Sequence, residues 1–194
     1  VEVGDGDRAH YSKRTTDFYF KYPFGFKEIG GLAYRTDFDL KNHIEKSGAE
    51  LRYHDATTNE KFVPHVLEPT FGLGRHVLAV IAKAYREDDL GGEKRIYLAF
   101  PKHLAPIKVA VFPLLKNKPE LVVKAEEVYR QLKEHIPQSM FDDNGNIGKR
   151  YRRQDEIGTP YCVTVDFDTL GENPDLKDTV TIRERDSGEQ RRVN

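Results

Sequence analysis

One cysteine, almost no net charge and no long apolar run: each scarcity in this chain excludes something. Cys162 has no second cysteine with which to close a disulfide. It sits in Tyr161-Cys162-Val163-Thr164-Val165, reads as a buried strand residue, and fits a reducing compartment. Lysine and arginine total 31 against 32 aspartates and glutamates, a net charge of −1. No global field therefore draws the protein to nucleic acid, and any RNA contact has to come from a local basic patch. No stretch approaches the roughly 20 apolar residues of a membrane span, and no apolar leader opens the chain, so a cytoplasmic protein without membrane contact is expected. The histidines at 10, 43, 54, 65, 76, 103 and 135 are scattered, with no HxxxH spacing and no paired cysteine, so zinc chemistry has no ligand set. A Gly-x-Ser-x-Gly elbow is missing. Asn146-Ile147-Gly148-Lys149-Arg150 lacks the spacing of a phosphate-binding P-loop and the Ser or Thr after its lysine.

What is present is enough apolar material, 38% of the 194 residues, for one or two small cores. The chain opens at Val1, inside sequence that reads as folded, and a fragment of a longer polypeptide is expected. Phe18, Phe20 and Tyr22 alternate in a half-buried strand over 17–22. Pro23-Phe24-Gly25 breaks it, and 26–34 pairs back as its neighbour. Asp39 caps a short helix ending at Gly48. Residues 50–54 and 61–67 read as strands around the polar turn 55–59. Val77, Leu78, Ile81, Ala82 and Tyr85 share one helical face. Many strands followed by a helix indicate a mainly antiparallel sheet backed by helices. Residues 88–93 read as a loop and 101–106 as a linker. A second unit then begins, with strands at 107–115, 138–142, 161–167 and 179–185. Its helices carry the stripe Leu121, Ala125, Val128, Leu132 and Ile136 and, over 148–157, a very polar sequence. This βαβαβ order implies a parallel or mixed sheet flanked by helices.

Two segments carry chemistry. In Glu68-Pro69-Thr70-Phe71-Gly72-Leu73-Gly74-Arg75 a carboxylate closes a strand, a Gly-rich turn follows, and an arginine sits where a helix begins. Glu68 suits an ammonium, the glycines admit close backbone approach, and Arg75 offers a planar fork to phosphate oxygens; an ordinary strand-turn-helix junction has the same spacing. Glu28, Arg35, Asp37 and Asp39 lie around Gly30-Gly31, where a ligand or another backbone approaches, or a bulge forms. A carboxylate there would act on a triphosphate through Mg²⁺, since alone it repels it; a solvated sheet face is the alternative. In the second segment, Lys149, Arg150, Arg152 and Arg153 crowd a helix N-terminus, where the dipole disfavours cations unless an anion joins them. Tyr151 either stacks on a base or joins Ile147 and Ile157 in a buried stripe.

Together these residues resemble the class II, dimeric type of glycyl-tRNA synthetase. Five segments carry the resemblance, in the family's order. Residues 8–17 (Arg8-Ala9-His10-Tyr11-Ser12 onward) resemble the stretch ahead of the active-site strands, and 28–40 (Glu28-Ile29-Gly30-Gly31 through Arg35-Thr36-Asp37-Phe38-Asp39-Leu40) the strand and turn lining the adenylate pocket. Glu68 to Arg75 is similar to motif 3. Leu104-Ala105-Pro106-Ile107-Lys108 resembles the entry to the anticodon-binding domain, and Gly148-Lys149-Arg150-Tyr151-Arg152-Arg153-Gln154-Asp155-Glu156 through Pro160 that domain's signature.

The resemblance implies the C-terminal part of a class II antiparallel-sheet catalytic domain over 1–104 and an anticodon-binding domain with a mixed sheet over 105–194. It implies glycine–tRNA ligase activity: glycine and ATP give glycyl-adenylate, and the glycyl group passes to tRNA(Gly). Arg35, Glu68, Pro69, Thr70, Phe71 and Gly72 would bind glycine. Glu28, Ile29, Gly72, Leu73, Gly74 and Arg75 would bind ATP, Glu28 also holding its Mg²⁺. Arg75 and Glu28 would be catalytic through charge stabilisation, and Lys149, Arg150, Arg152 and Arg153 would bind tRNA. Thr70 stands where the family usually has Ser, Gly30-Gly31 where a Glu-Gly pair is common, and Gly74 where many members have Asp. Motif 1, which builds the homodimer interface, and motif 2, with its ATP-binding arginine, are not in this sequence, so these residues are expected to be inactive alone. A non-catalytic, synthetase-like RNA-binding or accessory subunit is the alternative.

Overall fold

The alternating aromatics at 18, 20 and 22 do lie in a strand. It is β1 (Arg14–Tyr22), antiparallel to β2 (Gly25–Thr36). The computed structural model describes all 194 residues, in two compact units, Val1–Ala82 and Lys83–Asn194.

In the first unit α1 (Phe38–Ser47) follows β2, then the small hairpin of β3 (Tyr53–Asp55) and β4 (Glu60–Phe62), then β5 (Val66–Phe71) and α2 (Leu73–Ala84). The sheet runs β1-β2-β5, all antiparallel, with β5 an edge. An edge position tolerates Pro69, which cannot donate to a ladder. Asp37, not Asp39, occupies the N-cap position of α1 and makes no side-chain cap bond; Gly48 closes the helix in the left-handed conformation. This unit has almost no core: Tyr22 and Ala79 are its buried hydrophobic residues. Leu73, Val77, Leu78 and Ile81 of α2 are exposed, so most of the apolar face read in the sequence lies on the surface. Tyr85 lies beyond the helix, in the next strand.

The second unit opens with a hairpin of β6 (Tyr85–Leu90) and β7 (Glu93–Leu98). Residues 88–93 are therefore strand ends and a two-residue turn rather than a loop. Gly91 and Gly92 both have positive φ, as tight hairpin turns require. The expected linker is packed, with Ala84, Phe100 and Ala105 forming a small buried cluster. The compact units thus divide after Ala82, upstream of the 104/105 boundary expected from the sequence.

The remaining elements are β8 (Val109–Pro113), α3 (Pro119–His135), β9 (Ser139–Phe141), α4 (Ile147–Ile157), β10 (Tyr161–Val165), α5 (Phe167–Leu170), β11 (Val180–Glu184) and β12 (Gln190–Val193). Strand order is β12-β11-β10-β8-β9, with β8 parallel to β9 and β10 and the other pairs antiparallel, the mixed sheet expected. β12 was not legible as a strand. Every residue of β8 is buried, as befits a parallel strand covered on both faces. Side chains alternate across it. Val109 and Val111 join Val163, Val165, Leu121 and Ala125, with Val128 and Leu132 of α3 and Ile136 just beyond it against them. Ala110, Phe112 and Cys162 meet Ile147 and Tyr151 of α4. Leu121 is fully buried, worth about 2 kcal/mol in area removed from water. No helix is long and apolar enough to cross a membrane.

Candidate active site and basic helix

The ladder of β2 is irregular at two places, and both serve the site. Phe18 pairs with Gly30 but Tyr19 with Glu28, leaving Ile29 extra. Toward β5, Tyr34 pairs with Leu67 but Thr36 with Val66, leaving Arg35 extra. Such bulges bend a strand and re-aim a side chain. Arg35 is aimed at three groups. Its Nε and Nη2 donate to Asp39 Oδ2 and Oδ1 at 2.5 and 2.7 Å, its Nη1 donates to Glu68 Oε2 at 2.5 Å, and the guanidinium carbon stands 3.9 Å above the Tyr11 ring. Those bonds hold the Asp39 carboxyl below the usual carboxylate range. Arg35 is mostly enclosed while Glu68 stays nearly half exposed.

Glu68 sits opposite Ala33, and Thr70 opposite Gly31. Direct cross-strand partners share a face, so the two polar side chains stand beside two small residues. Thr70 Oγ1 lies 3.5 Å from Glu68 Oε1. On the far side Asp17 pairs with Gly31, and a Cβ there would come within 3.3 Å of Asp17 Oδ1. Gly30 is required by close approach, because a Cβ would lie 2.7 Å from the Thr70 carbonyl oxygen. Pro69, which pairs with Leu32, completes this strand, and Phe71 is exposed with its ring edge-on to His76.

The turn after β5 brings the second pair together. Gly72 N donates to Ile29 O at 3.2 Å, and α2 begins at Leu73. Arg75, in its first turn, lies 3.3 Å from Glu28 Oε1 and donates to Glu28 O at 3.2 Å. Tyr22 Oη donates to Arg75 O at 2.7 Å, and Tyr22 stacks on Phe24 with ring centroids 5.0 Å apart. These residues, with Lys27 and Leu78, line an open depression of about 440 Å³. A cation with a free edge, a neighbouring carboxylate and an aromatic wall make a surface that phosphate and a flat base both suit. Leu73 is 80% exposed, and a side chain at Gly74 would meet nothing.

The sequence-selected residues therefore form two groups, Arg35-Glu68-Thr70 and Glu28-Arg75, joined by β2 and the turn at Gly72. Asp37 and Asp39 are both taken, by Lys41 and Arg35, and neither is free for a cation. No three His, Cys, Asp or Glu side chains converge to hold a metal. Tyr11 was not singled out, and only its aromatic character hinted at its place under Arg35.

The basic cluster of α4 divides. Arg150, expected at an RNA surface, is buried: its guanidinium donates to the carbonyls of Pro113, Asp143, Asn144 and Gly145 and clamps the turn before the helix. Arg153 chelates Asp142 Oδ2 at 2.6 and 3.1 Å, and Arg152 reaches Glu93 at 3.2 Å, yet both keep exposed surface. Lys149 is exposed and has no carboxylate partner. Tyr151 packs edge-on against Phe112 and its hydroxyl meets Thr164 Oγ1 at 2.7 Å, which makes it part of the stripe with Ile147; Ile157 is 42% exposed and outside it. Burial pushes the Cys162 thiol up to about 12, so it is an inert core residue.

One assembly had no sequence signal beyond its charges. Asp155, 2% exposed, accepts from Arg183 Nη1 and Nη2 at 2.8 and 2.9 Å and from Arg95 Nη1 at 3.2 Å. Arg95 also chelates Asp88 at 2.6 and 2.9 Å, and Arg185 donates to Gly158 O and Phe100 O. The β6–β7 hairpin is thereby stapled to α4 and β11.

Residues 108–194 match the anticodon binding domain family. That match covers the five-stranded sheet and its helices and leaves out the stapled hairpin. Over nearly its whole length the chain is also similar to proteins named glycine–tRNA ligase. It is 52% identical over 184 residues to that of Clostridium acetobutylicum, covering 94% of this chain and 38% of the relative. Identity is 48% over 191 residues with the Staphylococcus aureus protein (97% and 39%), and 45% over 207 residues with the Thermus thermophilus protein (96% and 41%). The chain spans about two fifths of the length of these relatives.

Proposed function

We propose that these residues are part of a glycine–tRNA ligase, contributing one side of the glycine and ATP site and the domain that grips the tRNA. The single observation that carries the reading is the Arg35–Glu68 pair beside Thr70, on a chain about half identical to glycine–tRNA ligases over nearly all its length. The antiparallel sheet β1-β2-β5 with α2 is read as the end of a class II catalytic domain. Its exposed apolar residues, Leu73 and Val77 among them, suit a sheet and helix covered by further chain.

In this reading Glu68 accepts hydrogen bonds from the ammonium of glycine, Arg35 orients its carboxylate end, and Thr70 narrows the space above Gly31 and Ala33, while Phe71 lies on the other face over Gly30. The gap suits the smallest amino acid because a larger side chain would have to enter the Thr70 methyl. ATP lies toward Gly72, Leu73, Gly74 and Ile29, with Arg75 on its phosphates. Attack of the glycine carboxylate on the α-phosphorus forms the adenylate and releases pyrophosphate. Arg75 stabilises the charge that builds on the phosphate oxygens, a matter of positioning and electrostatics rather than covalent catalysis. Mg²⁺ would reach this chain through Glu28 alone, most of its ligands being phosphate and water oxygens. Lys149, Arg152 and Arg153 of α4 offer the surface for tRNA(Gly), and Arg150 supports them from within. The ligase acts as a homodimer in this reading.

Two measurements test it. The full-length protein carrying these residues should catalyse glycine-dependent pyrophosphate exchange, and the 194 residues alone should not; exchange by the isolated residues would refute the division of the site. Lys149→Ala with Arg152→Ala should weaken tRNA(Gly) binding and lower the dependence of log affinity on log salt by about one for each phosphate no longer engaged. An unchanged slope would remove α4 from the interface.

A further inference from the structure

The geometry points to Asp39 and Tyr11 as positioning residues that hold Arg35 and thereby keep Glu68 open for an ammonium ligand. The inference rests on the glycine-ligase reading for the identity of that ligand. Its physical basis is competition. A guanidinium has five N–H donors and pairs most strongly with a carboxylate through two parallel bonds. Arg35 lies within reach of two carboxylates and makes the two-bond pair with Asp39, giving Glu68 a single bond from Nη1 to Oε2. Glu68 Oε1 is left with the distant Thr70 hydroxyl as its hydrogen-bond partner.

One cation between two anions also leaves a negative charge uncompensated, and an ammonium supplies what is missing. Were Asp39 unable to hold Nε and Nη2, Arg35 would turn its fork to Glu68, occupy both oxygens and close the carboxylate to a ligand. Tyr11 opposes that rotation differently. Its ring lies 3.9 Å beneath the guanidinium carbon and fixes the plane of the group through cation–π attraction. Tyr11 is itself held edge-on by His10, whose ring also meets Phe38 at the start of α1, so the segment before β1 is tied to the same corner as Asp39. Neither residue reaches the reacting atoms; both act through Arg35.

The test is pyrophosphate exchange by the full-length protein. Asp39→Asn keeps the shape of the side chain but loses its charge and one acceptor. The expected result is a KM for glycine raised by about tenfold or more, with kcat and the KM for ATP nearly unchanged, the signature of weakened ground-state binding. Tyr11→Leu should raise the same KM, and Tyr11→Phe, which keeps the ring, should recover most of that loss. A glycine KM unmoved by Asp39→Asn overturns the inference while leaving the ligase reading intact. Wild-type protein without glycine-dependent exchange overturns both. Should Asp39→Asn fail to fold by circular dichroism, the Tyr11 pair decides: equal KM values for Leu and Phe overturn the inference, and a raised value for Leu alone supports it.

Discussion

Asp155→Asn is the substitution that most directly probes the staple in the second unit. Asparagine keeps the volume of the side chain but turns one carboxylate oxygen into an NH₂ group. In the native arrangement both oxygens accept, Oδ1 from Arg183 and Oδ2 from Arg183 and Arg95. The substitution sets a donor against a guanidinium donor and removes the only carboxylate that Arg183 touches, at a site where all three side chains are at most 6% exposed. Removing one partner of a buried pair typically costs about 3–5 kcal/mol, because the remaining charge is left in a poorly solvated place. Arg95 keeps Asp88, so the lower half of that range is expected. Domains of this size have a total stability of about 5–15 kcal/mol. With a urea slope of about 1–3 kcal/mol/M, the midpoint should fall by roughly 2 M. Far-UV circular dichroism reads it through α3 and α4. Replacing both partners, Asp155→Leu with Arg183→Met, should cost less than Asp155→Asn alone, since no orphaned charge remains. A midpoint lowered by less than about 0.5 M, or a double substitution costing more than the single one, would refute the reasoning.

Two further outcomes follow from the same unit. Gly158→Ala should destabilise by about 2–4 kcal/mol in thermal melts, from a left-handed backbone at φ +83 and a Cβ 2.4 Å from the Phe100 ring and 2.8 Å from Leu98 O, whereas Gly148→Ala, whose Cβ would meet only Asn146 Oδ1 at an ordinary 3.7 Å, should be neutral or stabilising. Acid should weaken the fold below about pH 4: hydrogen bonds from Arg95 hold the Asp88 carboxyl below its usual range, and at Asp166, against burial, those from Arg192 and the Thr169 amide do the same. A carboxyl depressed by folding contributes stability that is fully present above its unfolded pKa and lost as pH falls through the folded one, so a melting temperature that rises between pH 5 and 3 would contradict it.

Legibility in the sequence tracked local periodicity. The five buried residues of β8 and the stripe from Leu121 to Ile136 were readable because strand and helix repeats differ, and α3 and β8 bury them as expected. The hairpin 85–98 was missed because acidic residues on its first strand hide an alternation; Arg95 and Asp88 answer each other across the ladder, a long-range pairing without local signature. β12 was missed for the same reason: Arg192 chelates Asp166, far away in sequence. The stripe of α2 was readable but its burial was not, since the sequence shows an apolar face and not what covers it. At the candidate site the residue types were legible and the pairing was not. Glu68 and Arg75 stood out by spacing, whereas the Arg35 bulge, which decides where that guanidinium points, depends on register between β2 and β5.

The basic segment at 149–153 shows why composition alone misassigns charge. Four cations at the start of a helix look like one anion site, because the helix dipole penalises them without a counter-charge. The structure satisfies three of them individually. Carbonyl oxygens surround Arg150, Asp142 takes Arg153, Glu93 takes Arg152, and only the Lys149 ammonium has no partner. Further along the helix, Gln154 and Asp155 are buried and bonded to Thr159 and to the buried arginines. The helix therefore does two jobs with one run of sequence: Asp155 and Arg152 fasten the hairpin, and Lys149, Arg152 and Arg153 keep surface exposed to solvent. An exposed ion pair contributes little to stability, so Glu93 can yield Arg152 to phosphate at small cost, whereas Asp142, only 9% exposed, holds Arg153 more firmly. Arg150, whose partners are main-chain carbonyls, has no such freedom.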